Sequence, residues 1–199
     1  MKCSLATLAL ASLVAVPAWA DEAEQAQDPA IIVVGRAGAD DAEMRVRQTA
    51  GGANVISHQD YADKTAVSLR DTLAFAPGVY TQPRYGQEMR LSIRGSGLSR
   101  SFHMRGLTLL QDGVPINFAD DNGDFQGLDP IFFDHLEVYR GANALRFGSG
   151  TLGGAINGVT PSGDTAKGVY ARLDGGSYDF IRGLVTAGFG DARASAWGA

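Results

Sequence analysis

The segment Glu137–Pro161, which reads EVYRGANALRFGSGTLGGAINGVTP, constrains the fold of this chain more than any other segment. A β-type run ends in Arg140-Gly141, and five glycines follow between Gly148 and Gly158. Glycine at this density predicts positive φ angles, bulges and close approach of one backbone to another. The segment is therefore expected to form tightly packed, irregular turns beside a strand.

Three of these glycines have the spacing of a nucleotide-binding motif. The pattern G-x-G-x-x-G begins at Gly148, but that fingerprint requires a strand before it and a helix after it. Gly158 and Pro161 arrive before a helix could complete two turns, and Ile156 and Val159 favour a strand. A nucleotide site is therefore not expected here.

The first twenty residues have the features of a bacterial export signal. Lys2 gives a positive start, an apolar run extends from Leu5 to Val16, and an A-x-A cleavage motif ends at Ala20. The apolar run is shorter than the ~20 residues that a transmembrane helix needs, so a cleaved signal peptide is expected over residues 1–20. The only cysteine, Cys3, lies within it, so no disulfide, cysteine nucleophile or cysteine metal site is expected in the mature chain.

Composition narrows the class of protein. The formal net charge is −5 and the sequence has no basic stripe, so we expect no nucleic-acid partner. The 26 glycines are about 13% of the chain, against an average near 7%, which indicates a protein rich in strands and turns. No later run is long and apolar enough for a membrane helix, so any membrane association would use β-strands.

The chain between Ala50 and Pro161 has the pattern of a compact α+β domain. Ser68 and Asp71 form a capping box that starts a helix, which Pro77-Gly78 ends. An Asp-Gly turn separates the two strands of a hairpin. Strands are predicted at residues 54–56, 91–93, 107–111, 114–116 and 136–139, and a helical turn opens at residues 129–130.

The segment before this domain contrasts with it. Residues Asp21–Pro29 are polar and acidic and are expected to be a disordered lead-in, whereas Ile31–Val34 is an abrupt run of β-branched residues. That run is interpreted either as an edge strand of the following domain or as a docking strand that pairs with another protein's sheet. Arg36–Gln48 is expected to be a polar tether.

After Pro161 apolar and polar residues alternate. Val169–Asp174 and Ile181–Phe189 are two such runs with a turn at Gly175–Ser177 between them, and a third run begins at Ala192. Strands with one apolar face that are joined by short turns are typical of outer-membrane barrels. The strands of a soluble sandwich alternate in the same way, so that class stays open at this point.

Five ordered segments give the chain a family resemblance. They read IIVVG, SLRDTLAFAPGVYTQ, LSIRGSG, LTLLQDGVPIN and LEVYRGANALRFGSGTLGGAINGVTP, and they follow one another over Ile31–Pro161. In this order they resemble the N-terminal part of TonB-dependent outer-membrane receptors, most of all the ferric-citrate and ferric-siderophore receptors. The resemblance implies an α+β chain, in which a mixed-sheet plug domain precedes the first antiparallel strands of a transmembrane β-barrel.

The resemblance also implies a division of the chain into four parts. They are a signal peptide at 1–20, a flexible segment with a TonB-box-like strand at 21–48, a plug domain at 49–161 and the first strands of a truncated barrel at 162–199. In such a receptor the plug lies in a barrel of about 22 strands. Two strands and part of a third would leave backbone groups unpaired in lipid, so an N-terminal fragment is expected. The short distance from the cleavage site to Ile31 leaves no room for the periplasmic signalling domain that some ferric-citrate-type receptors carry.

By the same resemblance the expected function is uptake of an iron chelate, either a ferric siderophore or ferric citrate, across the outer membrane of a Gram-negative bacterium. The expected partners are the chelate, outer-membrane lipid and the energy-coupling protein TonB, which would bind the box formed by Ile31, Ile32, Val33 and Val34. The alternatives are a stand-alone periplasmic plug-like binding module and a non-functional truncated receptor. The apolar face of Ile181–Phe189 argues against the periplasmic module, because that face would be exposed to water.

Three charged residues at strand ends are the predicted contacts between plug and barrel. The resemblance implies that Arg94, Glu137 and Arg140 form ion pairs between the plug and the barrel wall. Exposed surface pairs, each worth under ~1 kcal/mol, are the alternative. Loss of one partner from a buried pair would cost more, on the order of 3–5 kcal/mol.

Two polar loops are candidates for ligand contact, and their candidate residues are Arg84, Tyr85, Gln87, Arg100 and Phe102. Arginine suits carboxylate-rich chelates through bidentate pairing, and tyrosine adds an aromatic face. Ordinary solvated loops are the alternative. A third loop, Asn117–Asp124, carries three aspartates. Phe125 occupies the position at which a calcium loop needs glycine and Ile131 replaces the closing glutamate, so no metal site is expected.

The sequence contains no catalytic constellation. The three histidines, His58, His103 and His135, lie far apart and lack an i, i+4 metal pair. No G-x-S-x-G, H-E-x-x-H or Walker motif occurs. We expect a protein that is not an enzyme and that has no cofactor.

Overall fold

The structure is a computed structural model that describes residues 38–49, 51–97, 104, 106–120, 122–191 and 194–199. Within these ranges the helices are α1 (Ala39–Gln48) and α2 (Leu69–Leu73). The strands are β1 (Ala53–Ser57), β2 (Val79–Pro83), β3 (Met89–Ile93), β4 (Leu107–Gln111), β5 (Val114–Pro115), β6 (His135–Arg140), β7 (Gly154–Val159), β8 (Gly168–Gly175), β9 (Ile181–Gly190) and β10 (Ser195–Gly198). Short 3₁₀ segments cover His58–Asp60, Phe125–Gly127, Pro130–Phe132 and Gly141–Phe147.

A five-stranded mixed sheet forms the centre of the domain. The strand order is β1-β6-β7-β4-β5, in which β4 and β7 run parallel and the other neighbours are antiparallel. Ile156 of β7 is paired with Val138 of β6 on one side and with Leu109 of β4 on the other. All three are at most 1% exposed, and burial of each such side chain contributes about 1.5–3 kcal/mol. The predicted α+β class with a mixed sheet is confirmed.

Helix α2 begins at the predicted capping box. Asp71 Oδ2 accepts hydrogen bonds from the backbone N–H groups of Val67 and Ser68, over 3.0 and 3.1 Å. A cap of this kind stabilises a helix by about 0.5–2 kcal/mol. Leu69 and Leu73 lie on one face of the helix and are buried in the core.

Residues 39–48 differ from the polar tether that the sequence predicts, because they form α1. Ala42 and Val46, four residues apart, lie on one helical face and are buried. Asp40 and Asp41 occupy the first turn and two arginines occupy the last, which complements the helix dipole. Two small apolar residues among charged ones are a weak sequence signal, and packing against β1 stabilises a helix of this length.

The glycine-rich segment packs as closely as its composition predicts. A Cβ on Gly153 would lie 2.3 Å from Ser96 Cβ, and one on Gly154 would lie 2.5 Å from the Tyr139 carbonyl oxygen. No side chain fits at these distances, so both positions require glycine. The residues after Gly153 form strand β7, so the strand–turn–helix context of a nucleotide-binding motif is not met.

Strands β8, β9 and β10 form a separate three-stranded antiparallel sheet. In β9 exposed and half-buried residues alternate strictly. The exposed side, termed the apolar outer face, consists of Val169, Leu173, Ile181, Val185 and Phe189. Side chains on the opposite side of the β8–β9 hairpin contact the domain that contains the mixed sheet, termed the mixed-sheet domain. The predicted pattern of antiparallel strands with one apolar face is therefore confirmed.

Candidate functional site

Two of the three predicted ion-pair residues, Arg94 and Arg140, lie side by side. Arg94 follows β3 with a φ of 53°, and Arg140 ends β6. A Cβ added to Gly52 would lie 2.9 Å from Arg140 Nε and 3.0 Å from Arg94 Nη2, so both guanidinium groups cover the same glycine. Arg140 donates from Nη1 to Asn54 Oδ1 over 2.7 Å and to the carbonyl of Pro77.

The two adjacent guanidinium groups supply the positive charge that an anion-binding site needs. Burial, and then the charge of Arg94, lower the pKa of Arg140. Among the residues that the structure describes, no carboxylate lies within ion-pair distance of either arginine. Two adjacent like charges raise the free energy unless an opposite charge faces them, so the pair is suited to a carboxylate or another anion.

Glu137, the third predicted ion-pair residue, lies apart from the arginine pair in a buried network. Its Oε2 accepts from Asn157 Nδ2 over 2.9 Å, and its Oε1 lies 3.5 Å from Nη2 of Arg45 in α1. His135 is fully buried, with Nε2 3.8 Å from the same Oε1 and Nδ1 2.8 Å from Asp134 Oδ2. Glu137 thus joins β6 to β7 and to α1, and its predicted pairing with a barrel wall stays a prediction.

His135 and Glu137 shift each other's pKa. Burial alone would lower the pKa of His135, but its hydrogen bond with Asp134 and the nearby Glu137 outweigh burial and raise it. Burial alone would raise the pKa of Glu137, but His135 and Asn157 outweigh burial and lower it. His135 Nε2 has no hydrogen-bond partner among the described residues, because 3.8 Å is too long for one. The attraction between imidazolium and carboxylate is therefore coulombic.

Three of the five predicted ligand residues lie in the turn between β2 and β3, termed the tip (Arg84–Glu88). Tyr85 is 71% exposed, and the guanidinium carbon of Arg84 lies 5.7 Å from the centre of its ring. Gln87 is half-buried and donates from Nε2 to the carbonyl of Val67 over 3.2 Å. The structure therefore places these residues together on one exposed turn, and ligand contact stays a prediction.

Other predicted site residues lie outside the described part of the chain, namely Ile31, Ile32, Val33, Val34, Arg100 and Phe102. Of the loop with three aspartates, Asp120 accepts from the N–H of Asn122 over 3.1 Å, and Asp124 accepts from the N–H of Gln126 over 2.8 Å. These carboxylates therefore cap local turns. Over the described ranges, no group of three or more His, Cys, Asp or Glu residues is arranged to hold a metal ion, and no helix is long and apolar enough to cross a membrane.

A charged cluster that sequence reasoning missed joins the β8–β9 hairpin to the mixed-sheet domain. Asp174 of β8 is buried and accepts from Arg172 Nε over 2.8 Å and from Arg182 Nη2 over 3.0 Å. Arg182 Nη1 also lies 3.5 Å from Asp129 Oδ1 of the mixed-sheet domain. Arg172, Asp174 and Arg182 are termed the wall triad. Their alternation in the sequence places the first two on one face, but the pairing of Asp174 with Arg182 depends on the hairpin register.

A cavity of about 570 Å³ lies between the mixed-sheet domain and the inner side of the sheet of β8, β9 and β10. Its lining includes Asp40 and Asp41 from the first turn of α1, Asp134 before β6, Thr186 of β9 and Trp197 of β10. Cavities of this size hold small ligands in many proteins. Three carboxylates in the lining would repel an anionic chelate, so the exposed tip is the better candidate for chelate contact.

Comparisons with known proteins identify the domain. The model of the family TonB-dependent Receptor Plug Domain matches residues 45–155, more than half of the chain. The vitamin B12 transporter BtuB of Vibrio vulnificus is 28% identical over 178 residues, which cover 89% of this chain and 28% of that protein. The ferric-pyoverdine M114 receptor PbuA of Pseudomonas sp. is 26% identical over 147 residues, which cover 72% of this chain and 17% of that protein.

A solved structure shares the fold. The alcaligin outer membrane receptor FauA of Bordetella pertussis matches with a TM-score of 0.54 at 23% identity, over 72% of this chain and 24% of that chain. This chain spans less than a third of the length of these relatives. The names of these three proteins are those of transporters and receptors. Because the family model matches more than half of the chain, the chain belongs to the family of TonB-dependent receptor plug domains.

Proposed function

We propose that this chain is the plug-bearing part of a TonB-dependent outer-membrane receptor that takes up a metal chelate of the siderophore or vitamin B12 type. The observation that carries the proposal is the plug-family match over residues 45–155, next to a hairpin with an apolar outer face. The printed names of the relatives, a vitamin B12 transporter and a ferric-pyoverdine receptor, support this class of ligand. They give no support to ferric citrate in particular, and no observation favours a stand-alone periplasmic binding module.

The apolar outer face supports a position in the outer membrane. Its five side chains are 64–79% exposed, although each is large and apolar. Removing apolar surface from water is worth about 25 cal/mol per Å², so an aqueous surrounding would be unfavourable for this face. Barrel strands turn an apolar face of this kind to lipid. Residues 162–199 accordingly form the first wall strands of the proposed receptor, in contact with lipid.

In the proposed receptor, Arg94 and Arg140 bind a carboxylate of the barrel wall and hold the plug in place. Their adjacent positive charges and the partial burial of Arg140 support this role. Arg140→Ala should lower the melting temperature and increase permeability of the outer membrane to large antibiotics, because the plug loosens. Arg47→Ala is the control, since Arg47 forms an exposed i, i+4 pair with Glu43. Unchanged permeability and stability in Arg140→Ala would contradict the role.

The proposed contact with TonB is the run Ile31–Val34, which lies outside the described residues. Four β-branched residues can add a strand to a partner's sheet through backbone hydrogen bonds, which supports this assignment. A cysteine at Val33 should crosslink to TonB more strongly when ligand is added, whereas a cysteine at Gln27 in the polar lead-in should not. Equal crosslinking at the two positions, with or without ligand, would contradict the assignment.

Uptake by cells tests the proposed function as a whole. Cells without receptors of their own are given the gene and supplied with labelled ferric siderophores or labelled vitamin B12. Energy-dependent accumulation of one of these chelates is expected, and deletion of Ile31–Val34 should abolish it. If the protein reaches the outer membrane and binds none of the supplied chelates, the proposed ligand class is wrong.

A further inference from the structure

We propose that the wall triad is a positioning site for the tip. The triad holds the plug segment Tyr61–Val67, termed the anchor segment, and the anchor segment holds the tip through Gln87. The tip carries Arg84 and Tyr85, so the triad sets where these two side chains stand. The inference rests on the proposed function only where it treats Arg84 and Tyr85 as ligand contacts.

Three carbonyl groups of the anchor segment accept hydrogen bonds from the triad. Arg172 donates from Nη1 to the carbonyl of Ala62 over 2.6 Å and from Nη2 to that of Lys64 over 2.9 Å. Arg182 donates from Nη2 to the carbonyl of Ala66 over 3.0 Å. The buried carboxylate between the two arginines holds both guanidinium groups in these orientations through charge-assisted hydrogen bonds.

The anchor segment is joined to the tip at its last residue. The carbonyl oxygen of Val67 accepts a hydrogen bond from Gln87 Nε2 over 3.2 Å. The backbone N–H of Val67 donates to Asp71 Oδ2 of α2 over 3.0 Å. Ala66, the residue before it, is the one that Arg182 holds. Ala66 thus contacts the wall triad and Val67 contacts the tip. Because these two residues are adjacent, movement of one displaces the other.

This arrangement separates the predicted ligand residues of the tip into two kinds. Gln87 is half-buried and its amide nitrogen is engaged within the protein, so it acts as a tether. Tyr85 is 71% exposed, with the guanidinium group of Arg84 near its ring, so the ring of Tyr85 is available to a ligand. A ligand that binds Tyr85 would then contact a turn whose position is set by the wall triad of the β8–β9 hairpin.

Hydrogen exchange of the full chain in detergent micelles tests the inference without ligand or energy-coupling protein. Asp174→Asn removes the charge that orients both arginines, and Asp63→Asn removes an exposed carboxylate of the anchor segment as a matched control. The amides of Lys64 and Ala66, hydrogen-bonded over 3.0 and 2.9 Å, should exchange at least about tenfold faster in Asp174→Asn only. Equal rates in the two variants would overturn the proposal.

The tip provides the second measurement. Its amides at Arg84 and Glu88, hydrogen-bonded over 3.0 and 3.2 Å, should exchange faster in Asp174→Asn and also in Gln87→Ala. The anchor segment should respond to Asp174→Asn but not to Gln87→Ala. Faster exchange in the anchor segment with an unchanged tip would overturn the link between the triad and the tip.

Two features keep the test decisive. If Asp174→Asn fails to fold, Arg182→Lys keeps a positive charge beside Asp174 but lacks the planar fork, so it should give the same pattern with a smaller acceleration. Gln87→Ala changes an exposed turn and tests the tether independently of the triad. Since no ligand is used, a negative exchange result leaves the proposed uptake standing, and a negative uptake result leaves the exchange result standing.

Discussion

Replacing Glu137 by glutamine tests the buried ion pair that it forms with His135. Glutamine has nearly the same size and keeps one oxygen that can accept from Asn157, which now donates over 2.9 Å. It removes the negative charge 3.8 Å from His135 Nε2. The substitution therefore isolates the contribution of charge from that of shape.

The sign of the pH dependence follows from the raised pKa of His135. A histidine that binds its proton more tightly when folded contributes stability below its unfolded pKa of about 6.5, and this stability is lost as the pH rises through the folded pKa. One proton limits the slope to about 1.4 kcal/mol per pH unit. In Glu137→Gln, stability should fall less steeply as the pH rises, because only Asp134 remains to stabilise the protonated ring of His135.

Two other groups titrate in or near this range. Burial lowers the pKa of His58, so its contribution has the opposite sign: it is present above about pH 6.5 and lost as the pH falls. The lowered pKa of Glu137 itself gives stability that is present above its usual pKa and lost in acid. The comparison of wild type with variant at each pH cancels the contribution of His58.

The expected size of the effect follows from burial. The Glu137 side chain is 7% exposed and that of His135 is 0% exposed, and breaking a buried pair of this kind costs about 3–5 kcal/mol. We expect a cost of this order near pH 5.5, where the pair is charged, and about 1 kcal/mol near pH 9, where only hydrogen bonding differs.

Thermal unfolding, followed by circular dichroism between pH 5.5 and pH 9, measures this difference. Each kcal/mol should shift the melting temperature by about 2–4 °C in a chain of this size. Glu43→Gln is the matched control, because Glu43 forms an exposed pair with Arg47, and it should change stability by less than about 0.5 kcal/mol at every pH. A penalty for Glu137→Gln that is the same at every pH would refute a charged His135–Glu137 pair.

Three further substitutions test packing and capping in the plug domain by the same thermal assay. Gly158→Ala should lower the free energy of unfolding by about 1–3 kcal/mol, because the new Cβ would lie 2.6 Å from the Phe133 ring. Gly127→Ala is the control and should be close to neutral, because there is open space at its Cβ. Equal effects of the two substitutions would contradict this packing. Asp71→Ala should cost about 0.5–2 kcal/mol through loss of the helix cap, and no change would contradict the cap. Leu109→Ala should cost about 2–5 kcal/mol because Leu109 is fully buried, and a loss below 1 kcal/mol would contradict its place in the core.

Local features of the fold could be predicted from the sequence because neighbouring residues determine them. The capping box at Ser68 and Asp71 needs only residues three positions apart. Alternation over Ile181–Phe189 indicates which side chains share a face of a strand. The prediction missed strand β2 (Val79–Pro83) and helix α1. In α1 the buried residues Ala42 and Val46 are too few to mark an amphipathic helix before its contact with β1 is known.

The candidate site was predictable only in part. Arg94 and Arg140 stand at the ends of different strands, and the sequence selected both, but only the fold shows that they cover the same glycine. The family resemblance predicts the same role for Glu137, which flanks the same strand end as Arg140. Adjacent strand residues point to opposite faces, and an odd separation of three residues places Glu137 and Arg140 on different sides of β6.

The sequence by itself determined the order of strands and turns, the glycine positions and the apolar outer face, because short-range patterns of residues specify each of them. The tertiary structure alone decided which charges meet. Arg45 reaches Glu137 across 92 positions, and Arg172 reaches the carbonyl of Ala62 across 110. Pairings at such separations depend on sheet order and hairpin register, which a local pattern does not specify.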